Sequence, residues 1–354
     1  MKKINKFFKN SKELPIDKFF ENVLYDNKDG YYAKKNPIGK NADFITSPLV
    51  SFIFSEMISI WIIDLWEKLN KPKNFNIIEL GPGNGQMCKV MLSSFKKFPI
   101  FYKSANIFLY EKSKILKETQ KKIIGQDKVR WIDNISDTGN GPTIFIGNEF
   151  FDALPIKQYK KEKENLFEKF VKLNKNFKIE FIFKKVSTTT ISKFKKFKSL
   201  RNLNFIEFPS IGFLFIKQII DKINKNGGGI LLIDYGYKKS INIDTIQSIK
   251  NHKKNHILDN IGDADVTSLV NFELMKEFFK INKLNVCNVV SQSFFLKKLG
   301  IIERATILTK NMNFKDKSNF YSRLKRLLSS DEMGELFKVI FASKLKVKNI
   351  IGFN

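Results

Sequence analysis

Short apolar runs and amphipathic stretches alternate along most of this chain, and the alternation starts at a definite place. Residues 1–72 have a different texture, with helical periodicity on either side of a polar loop, 29–48, rich in Gly, Pro, Asn and Ser. The apolar stretch 48–66 is interrupted by Glu56 and Asp64. Charges there are costly in a bilayer, so the stretch predicts a largely buried helix and no membrane span. From residue 73 the pattern changes. Phe75–Leu80 predicts a buried strand ending in a glycine cluster, followed by a helix over 86–96. Further strands are expected at 106–110, 128–132 and 143–147, with a helix starting near Ser113. Strand and helix in turn mean βαβ units and a parallel sheet.

After Pro155 the texture shifts again. Runs 170–173 and 177–183 flank Asn174-Lys175-Asn176, the pattern of a β-hairpin with a short polar turn. A helix is expected over 210–224, stopped by Gly227-Gly228-Gly229, and 230–233 is a strongly apolar fifth strand. Then come a Gly/Asp-rich loop at 261–267, a helix from about Leu269, a strand near 284–290 and a helical tail with a final strand. The expected fold class is therefore α/β, a Rossmann-like sheet split into 73–155 and 210–310. A helical segment (1–72) precedes it, an α+β insertion (156–209) divides it, and a tail (311–354) follows. No repeat at solenoid periods is visible.

Composition changes this picture little. Hydrophobic residues make up 43% of the 354, including 36 Phe, which is ample for a core. Two cysteines, Cys88 and Cys287, have neither disulfide-framework nor metal-ligand spacing, so a reducing compartment and no metal are expected. The net charge of +28 would suit a nucleic-acid partner, with no other sign of one. The excess is mostly Lys beside abundant Asn, Ile and Phe, as a biased genome would also produce. Residues 1–10 are basic but lack an apolar signal region, so a bacterial-type cytoplasm is expected.

Candidate chemistry sits at strand ends. Glu79-Leu80-Gly81-Pro82-Gly83-Asn84-Gly85 lies between a strand and a helix, where glycines allow a sharp turn and close approach of a ligand. Its spacing departs from the dinucleotide fingerprint. A sulfonium cofactor has no phosphate to bind, and its methionine ammonium suits an acid such as Glu79; an ordinary structural turn also fits. Glu111 ends the second strand, where an acid accepts hydrogen bonds from ribose hydroxyls. Trp131, near the end of the third, is either core or the border of an adenine ring. The fourth ends in Asn148-Glu149-Phe150-Phe151-Asp152-Ala153-Leu154-Pro155, in the crevice where open α/β sheets bind ligands. His252 and His256 fall in a Lys/Asn-rich loop and read as solvated.

With these residues in view the chain resembles the MidA family, whose eukaryotic members are mitochondrial complex I assembly proteins with protein arginine methyltransferase activity. The resemblance spans nearly the whole chain. It is carried in order by Gly30-Tyr31-Tyr32, Asp43-Phe44-Ile45-Thr46-Ser47-Pro48, residues 79–85 and 148–155. Leu232-Ile233-Asp234-Tyr235-Gly236, residues 262–267, and Met333-Gly334-Glu335-Leu336-Phe337-Lys338-Val339 complete it. It implies S-adenosyl-L-methionine as cofactor, with contacts at Glu79, Gly81, Gly83, Gly85 and Glu111. It also implies that Thr46, Ser47 and Pro48 fold over the cofactor while Asn148, Glu149 and Asp152 face the acceptor. The chain departs from the family pattern at Ala42, Leu49, Asn84, Leu269 and Asn271, so any role of the family's histidine at position 269 is not carried over.

The implied reaction is in-line methyl transfer to a protein arginine, with a complex I subunit as the implied partner. Alignment and exclusion of water dominate such a step. A guanidinium is always protonated in water, so a carboxylate pair must orient it and absorb charge. Glu149 and Asp152 are the candidates, with Asp265 third. RNA or a small metabolite as acceptor, and a non-catalytic assembly chaperone on the same fold, are the alternatives.

Overall fold

Apolar residues at successive strand positions point to opposite faces of a sheet, and here both faces are covered. In the computed structural model Ile77, Ile107, Leu109, Ile144, Ile146, Leu231 and Ile233 enter one core cluster. Their neighbours Ile78, Leu80, Phe108, Phe145, Ile230 and Leu232 enter a second. The structure describes residues 2–34, 46–125, 128–176, 178–250, 253–345 and 349–354. Ala42, Asp43, Phe44, Ile45, Phe177 and His252 lie outside the described residues.

The central sheet runs Asn285–Val286, Phe337–Ser343, Gly228–Tyr237, Thr143–Asn148, Phe75–Leu80, Ala105–Tyr110, Val129–Ile132. The pairs from Gly228–Tyr237 to Val129–Ile132 are all parallel. From Phe75–Leu80 the chain winds outward through two strands, then returns to lay Thr143–Asn148 on the other side of the first. That reversal opens a crevice at the carboxyl ends, where Leu80 stands beside Gly147.

One expectation is corrected here. The sheet is mixed, because the tail strand Phe337–Ser343 inserts antiparallel beside Gly228–Tyr237, from Gly229–Ser343 to Tyr235–Phe337. The expected strand at 284–290 is two short pieces, Asn285–Val286 and Val290–Ser291, both paired to that tail strand. The helix expected from Leu269 spans Phe272–Ile281, capped by the Asn271 side chain accepting from Leu274 N–H at 3.0 Å.

Phe52–Lys68 is the buried helix that the apolar stretch predicted, and its charges are paired. Glu56 receives the Arg304 guanidinium through two bonds of 2.9 Å, and Asp64 the Lys68 ammonium at 2.6 Å. Among the described residues no helix is long and apolar enough to cross a membrane.

The hairpin of the 156–209 segment forms as Asn165–Leu173 against Ile179–Lys185. It belongs to a five-stranded antiparallel sheet with Lys157–Glu162, Phe205–Phe208 and, from the start of the chain, Glu13–Pro15. Helix Ile16–Tyr25 packs between this sheet and Val266, forming a third core. Part of the 261–267 loop is strand, Asp265–Thr267, buried in a three-stranded sheet with Gln247–Lys250 and Lys253–Asn255.

Candidate active site

At the end of Phe75–Leu80 the chain turns through Gly81 and Gly83, with φ of +60° and +56°, into helix Gln86–Phe95. A Cβ on Gly81 would meet the Phe150 ring at 2.7 Å, so only glycine lets the two strand ends close on each other. Gly85 has a different reason. Its Cβ would strike Ile124 at 2.8 Å and Gln120 Cγ at 3.3 Å, so it lets helix Lys114–Ile124 approach. The Asn84 side chain accepts from Gln86 N–H at 3.0 Å, a local turn bond that satisfies the first amide of the helix.

The turn lines a cleft with Thr46, Pro48, Glu79, Met87, Asn148 and Glu149. The cleft thus joins segments lying up to about a hundred residues apart in the chain. Two polar atoms of this wall, Glu79 Oε2 and Asn148 Oδ1, are buried without a hydrogen-bond partner among the described residues. Burial alone pushes the Glu79 carboxyl up to about 8. An unpartnered acid aimed at a cleft is what a cationic ligand group would complete.

Glu111, at the end of Ala105–Tyr110, is buried and accepts from Ser113 N–H at 2.8 Å and Gln120 Nε2–H at 3.2 Å. Burial raises its pKa, opposed by those hydrogen bonds. Trp131 is half-buried on its strand, and its Nε1–H donates to Gln120 Oε1 at 2.9 Å. It is tied to the cofactor wall through Gln120 and does not line the cleft around the glycine turn.

Across the cleft, Glu149 adopts φ +51°, a left-handed conformation costly for a side chain of its size. Its N–H is held by Ile233 O at 2.9 Å. Its Oε1 accepts from Ser47 N–H at 2.9 Å and Asn148 Nδ2–H at 3.1 Å. Ser47 is the first residue of the short helix Ser47–Val50, so this bond fastens the N-terminal segment over the cleft. Burial pushes the Glu149 carboxyl up to about 8, against the Ser47 hydrogen bond and with help from the charge of Asp152. Asp152 is buried too; desolvation first, then Asp234 and Asp265, hold its carboxyl well above the usual range. Asp265 is buried and accepts from the Tyr32 hydroxyl at 3.3 Å.

Four functional candidates had no role assigned from sequence, although Tyr32 and Asp234 stand in segments that carry the family resemblance. Asp234 ends the apolar run 230–233, the same signal that marked Glu79 and Glu111. Its Oδ2 accepts the backbone N–H groups of Phe150, Phe151 and Asp152 at 3.1, 2.8 and 3.3 Å. Tyr25 and Tyr32 stack with centroids 5.3 Å apart, and the Tyr25 hydroxyl donates to Ala153 O at 2.8 Å. Burial raises both phenols well above their usual range, with Asp265 the next cause. Gln120 carries no sequence signal; it sits mid-helix among lysines. Among the described residues no cluster of His, Cys, Asp and Glu could hold a metal.

An acid for an ammonium, an acid for hydroxyls and a glycine turn between them fit a sulfonium nucleoside. Comparison with known proteins gives the family. Residues 57–290 match the family model of S-adenosyl-L-methionine-dependent methyltransferases. The chain is 29% identical to the mitochondrial protein arginine methyltransferase NDUFAF7 of Xenopus tropicalis, covering 96% of this chain and 85% of that protein. The Caenorhabditis elegans homolog of NDUFAF7 is 31% identical, over 78% of this chain and 70% of its own length. A crystal structure from Burkholderia thailandensis bound to S-adenosyl-homocysteine superposes with a TM-score of 0.83. It is 19% identical, covers 99% of this chain and 92% of that one, and shares the fold. The chain belongs to the S-adenosyl-L-methionine-dependent methyltransferase family, with S-adenosyl-L-methionine as its cofactor.

Proposed function

We propose that this methyltransferase acts on a guanidinium nitrogen of arginine in a protein substrate. The observation that carries the reading is the gathering of Glu149, Asp152, Asp234 and Asp265 in and behind one cleft of a chain with net charge +28. None of the described residues lining the cleft is Lys or Arg. Burial holds these carboxyls toward their neutral form, and a guanidinium would supply the counter-charge that ionises them, which an anionic acceptor such as RNA does not. The names of the curated relatives, protein arginine methyltransferases, support the same acceptor. Those relatives are named mitochondrial, which supports a mitochondrial matrix setting in a eukaryotic host and a bacterial-type cytoplasm otherwise. The protein acceptor is then a subunit of an assembling respiratory complex, as the family resemblance implies.

In this reading Glu79 pairs with the cofactor's ammonium and Glu111 receives its ribose hydroxyls. Gly81 and Gly83 admit the backbone's close approach, and Gly85 sets the helix behind it. Thr46, Ser47 and Pro48 cover the cleft, and Trp131 borders the adenine side. S-adenosyl-L-methionine supplies a methyl group activated by its sulfonium. Glu149 and Asp152 clamp the guanidinium so that one nitrogen faces that methyl, with Asn148 and Asp265 completing the wall. With the cofactor bound, that nitrogen would receive its methyl group, leaving S-adenosyl-homocysteine, and Glu149 or Asp152 would take the displaced N–H proton. The gain from such preorganised charge is several kcal/mol, on the order of 10²- to 10³-fold in rate per group.

The test is labelled-methyl transfer from S-adenosyl-L-methionine to arginine peptides, against the same peptides with lysine. Label on arginine peptides alone, lost in Glu149→Gln and Asp152→Asn, supports the reading. It fails if both variants turn over like the wild type, or if label goes to RNA.

A further inference from the structure

Helix Lys114–Ile124 buries few of its side chains, and the stripe 116, 120, 124 is its inner face. Leucine and isoleucine occupy 116 and 124, yet 120 is glutamine with no exposed surface. A buried amide in an apolar stripe is costly unless every group is bonded. Here each group is bonded, and the partners come from the glycine turn and from the next two strands of the sheet. Nε2 donates to Gly83 O at 2.7 Å in the glycine turn and to Glu111 Oε2 at 3.2 Å at the second strand end. Oε1 accepts from Trp131 Nε1 at 2.9 Å on the third strand. The Gln120 stem also lies where a Cβ on Gly85 would reach, at 3.3 Å, so the glycine turn and this side chain are packed as one unit.

We propose that Gln120 is a positioning residue for the nucleoside half of the cofactor. Its amide N–H and the Ser113 N–H each hold one oxygen of Glu111, fixing the carboxylate plane while both oxygens keep acceptor capacity for hydroxyls. Trp131 fixes which way the amide faces, because an indole N–H only donates and so selects the oxygen side. The inference rests on the reading of Glu111 as the ribose acceptor.

The experiment is calorimetric titration of the full chain with S-adenosyl-homocysteine and with its 2′-deoxyadenosyl analogue. The wild type should prefer the ribose ligand by about tenfold, the usual effect of one charge-assisted hydrogen bond. Gln120→Met keeps the length and apolar fit of the side chain but offers no amide. It should weaken S-adenosyl-homocysteine about tenfold and bring the ribose/deoxyribose ratio close to one. Trp131→Phe, which removes the donor and keeps an aromatic ring of smaller size, should lower the ratio about threefold and decides the matter if Gln120→Met does not fold. A lower melting temperature with an unchanged ratio in these variants would overturn the inference, since it would mark a merely structural role. Glu111→Ala separates the two levels. If it abolishes the ratio while Gln120→Met does not, only the Gln120 role falls; if it leaves the ratio intact, the ribose reading falls and takes the Gln120 role with it.

Discussion

The carboxylate of Asp234 receives the backbone N–H of Phe151 at 2.8 Å and those of Phe150 and Asp152 at 3.1 and 3.3 Å. Its second oxygen accepts from Tyr235 N–H at 2.9 Å. One buried side chain within strand Gly228–Tyr237 thus satisfies the turn that ends Thr143–Asn148. That turn contains Glu149 in its left-handed conformation and aims Glu149 and Asp152. The strain at Glu149 persists because its surroundings over-determine it.

Replacing Asp234 should therefore harm the acceptor side more than the cofactor side. Asp234→Asn keeps one acceptor oxygen but sets an NH2 group against backbone donors. Turnover is expected to fall about 10- to 100-fold, with cofactor affinity changed less than about threefold. Asp234→Ala leaves several buried donors unsatisfied and should cost about 3 kcal/mol in urea unfolding. Kinetics, calorimetry and denaturation on the same samples check all three.

Gly81→Ala tests the closure of the crevice. The added methyl would meet the Phe150 ring at 2.7 Å from a backbone with φ +60°. Cofactor affinity should drop at least about tenfold, and Phe150→Ala in the same chain should recover part of it by opening space. Recovery is the informative outcome, because strain in the turn alone would not respond to Phe150.

Stability of the cofactor-free protein should fall as pH rises from mildly acid to mildly alkaline. The folded Glu79 and Glu149 carboxyls are pushed from a usual 4.5 up to about 8, so the folded state holds protons that the unfolded state has released. Their contribution is fully present below about 4.5 and is lost as pH climbs through about 8. Glu79→Gln removes one titrating group and should flatten the slope of melting temperature against pH across that window. An unchanged slope would mean that Glu79 titrates normally.

Truncation before Phe337 should abolish soluble, cooperatively folding protein. The tail strand pairs with Gly228–Tyr237 at seven positions, Gly229 to Tyr235, and its Val339, Ile340, Phe341 and Ala342 are fully buried. Removing it exposes a long apolar edge in the middle of the sheet, which aggregates. A soluble truncated chain with an intact melting transition would show that the sheet closes without it.

Much of this was legible from local pattern. The buried strand Phe75–Leu80, the glycine turn after it, Glu111 at the next strand end and the 148–152 acids follow from short continuous apolar runs and the turn residues that end them. Those rules act over a few residues, so a single sequence states them. The order of the motifs pointed to the methyl-donor family, and the family match over residues 57–290 agrees. What tertiary structure alone decided are relations between distant segments. The tail strand's antiparallel place depends on which sheet edge is open, and the seven residues Phe337–Ser343 do not say. Glu13–Pro15 is too short for any period to show, and it forms only because Asn165–Leu173 presents an edge. Gln120 looks like one polar residue among lysines until the helix is docked; its burial and its three partners exist only when strands one, two and three stand side by side. Local chemistry is written in the chain, but the hydrogen bonds that aim it join residues that only folding makes neighbours.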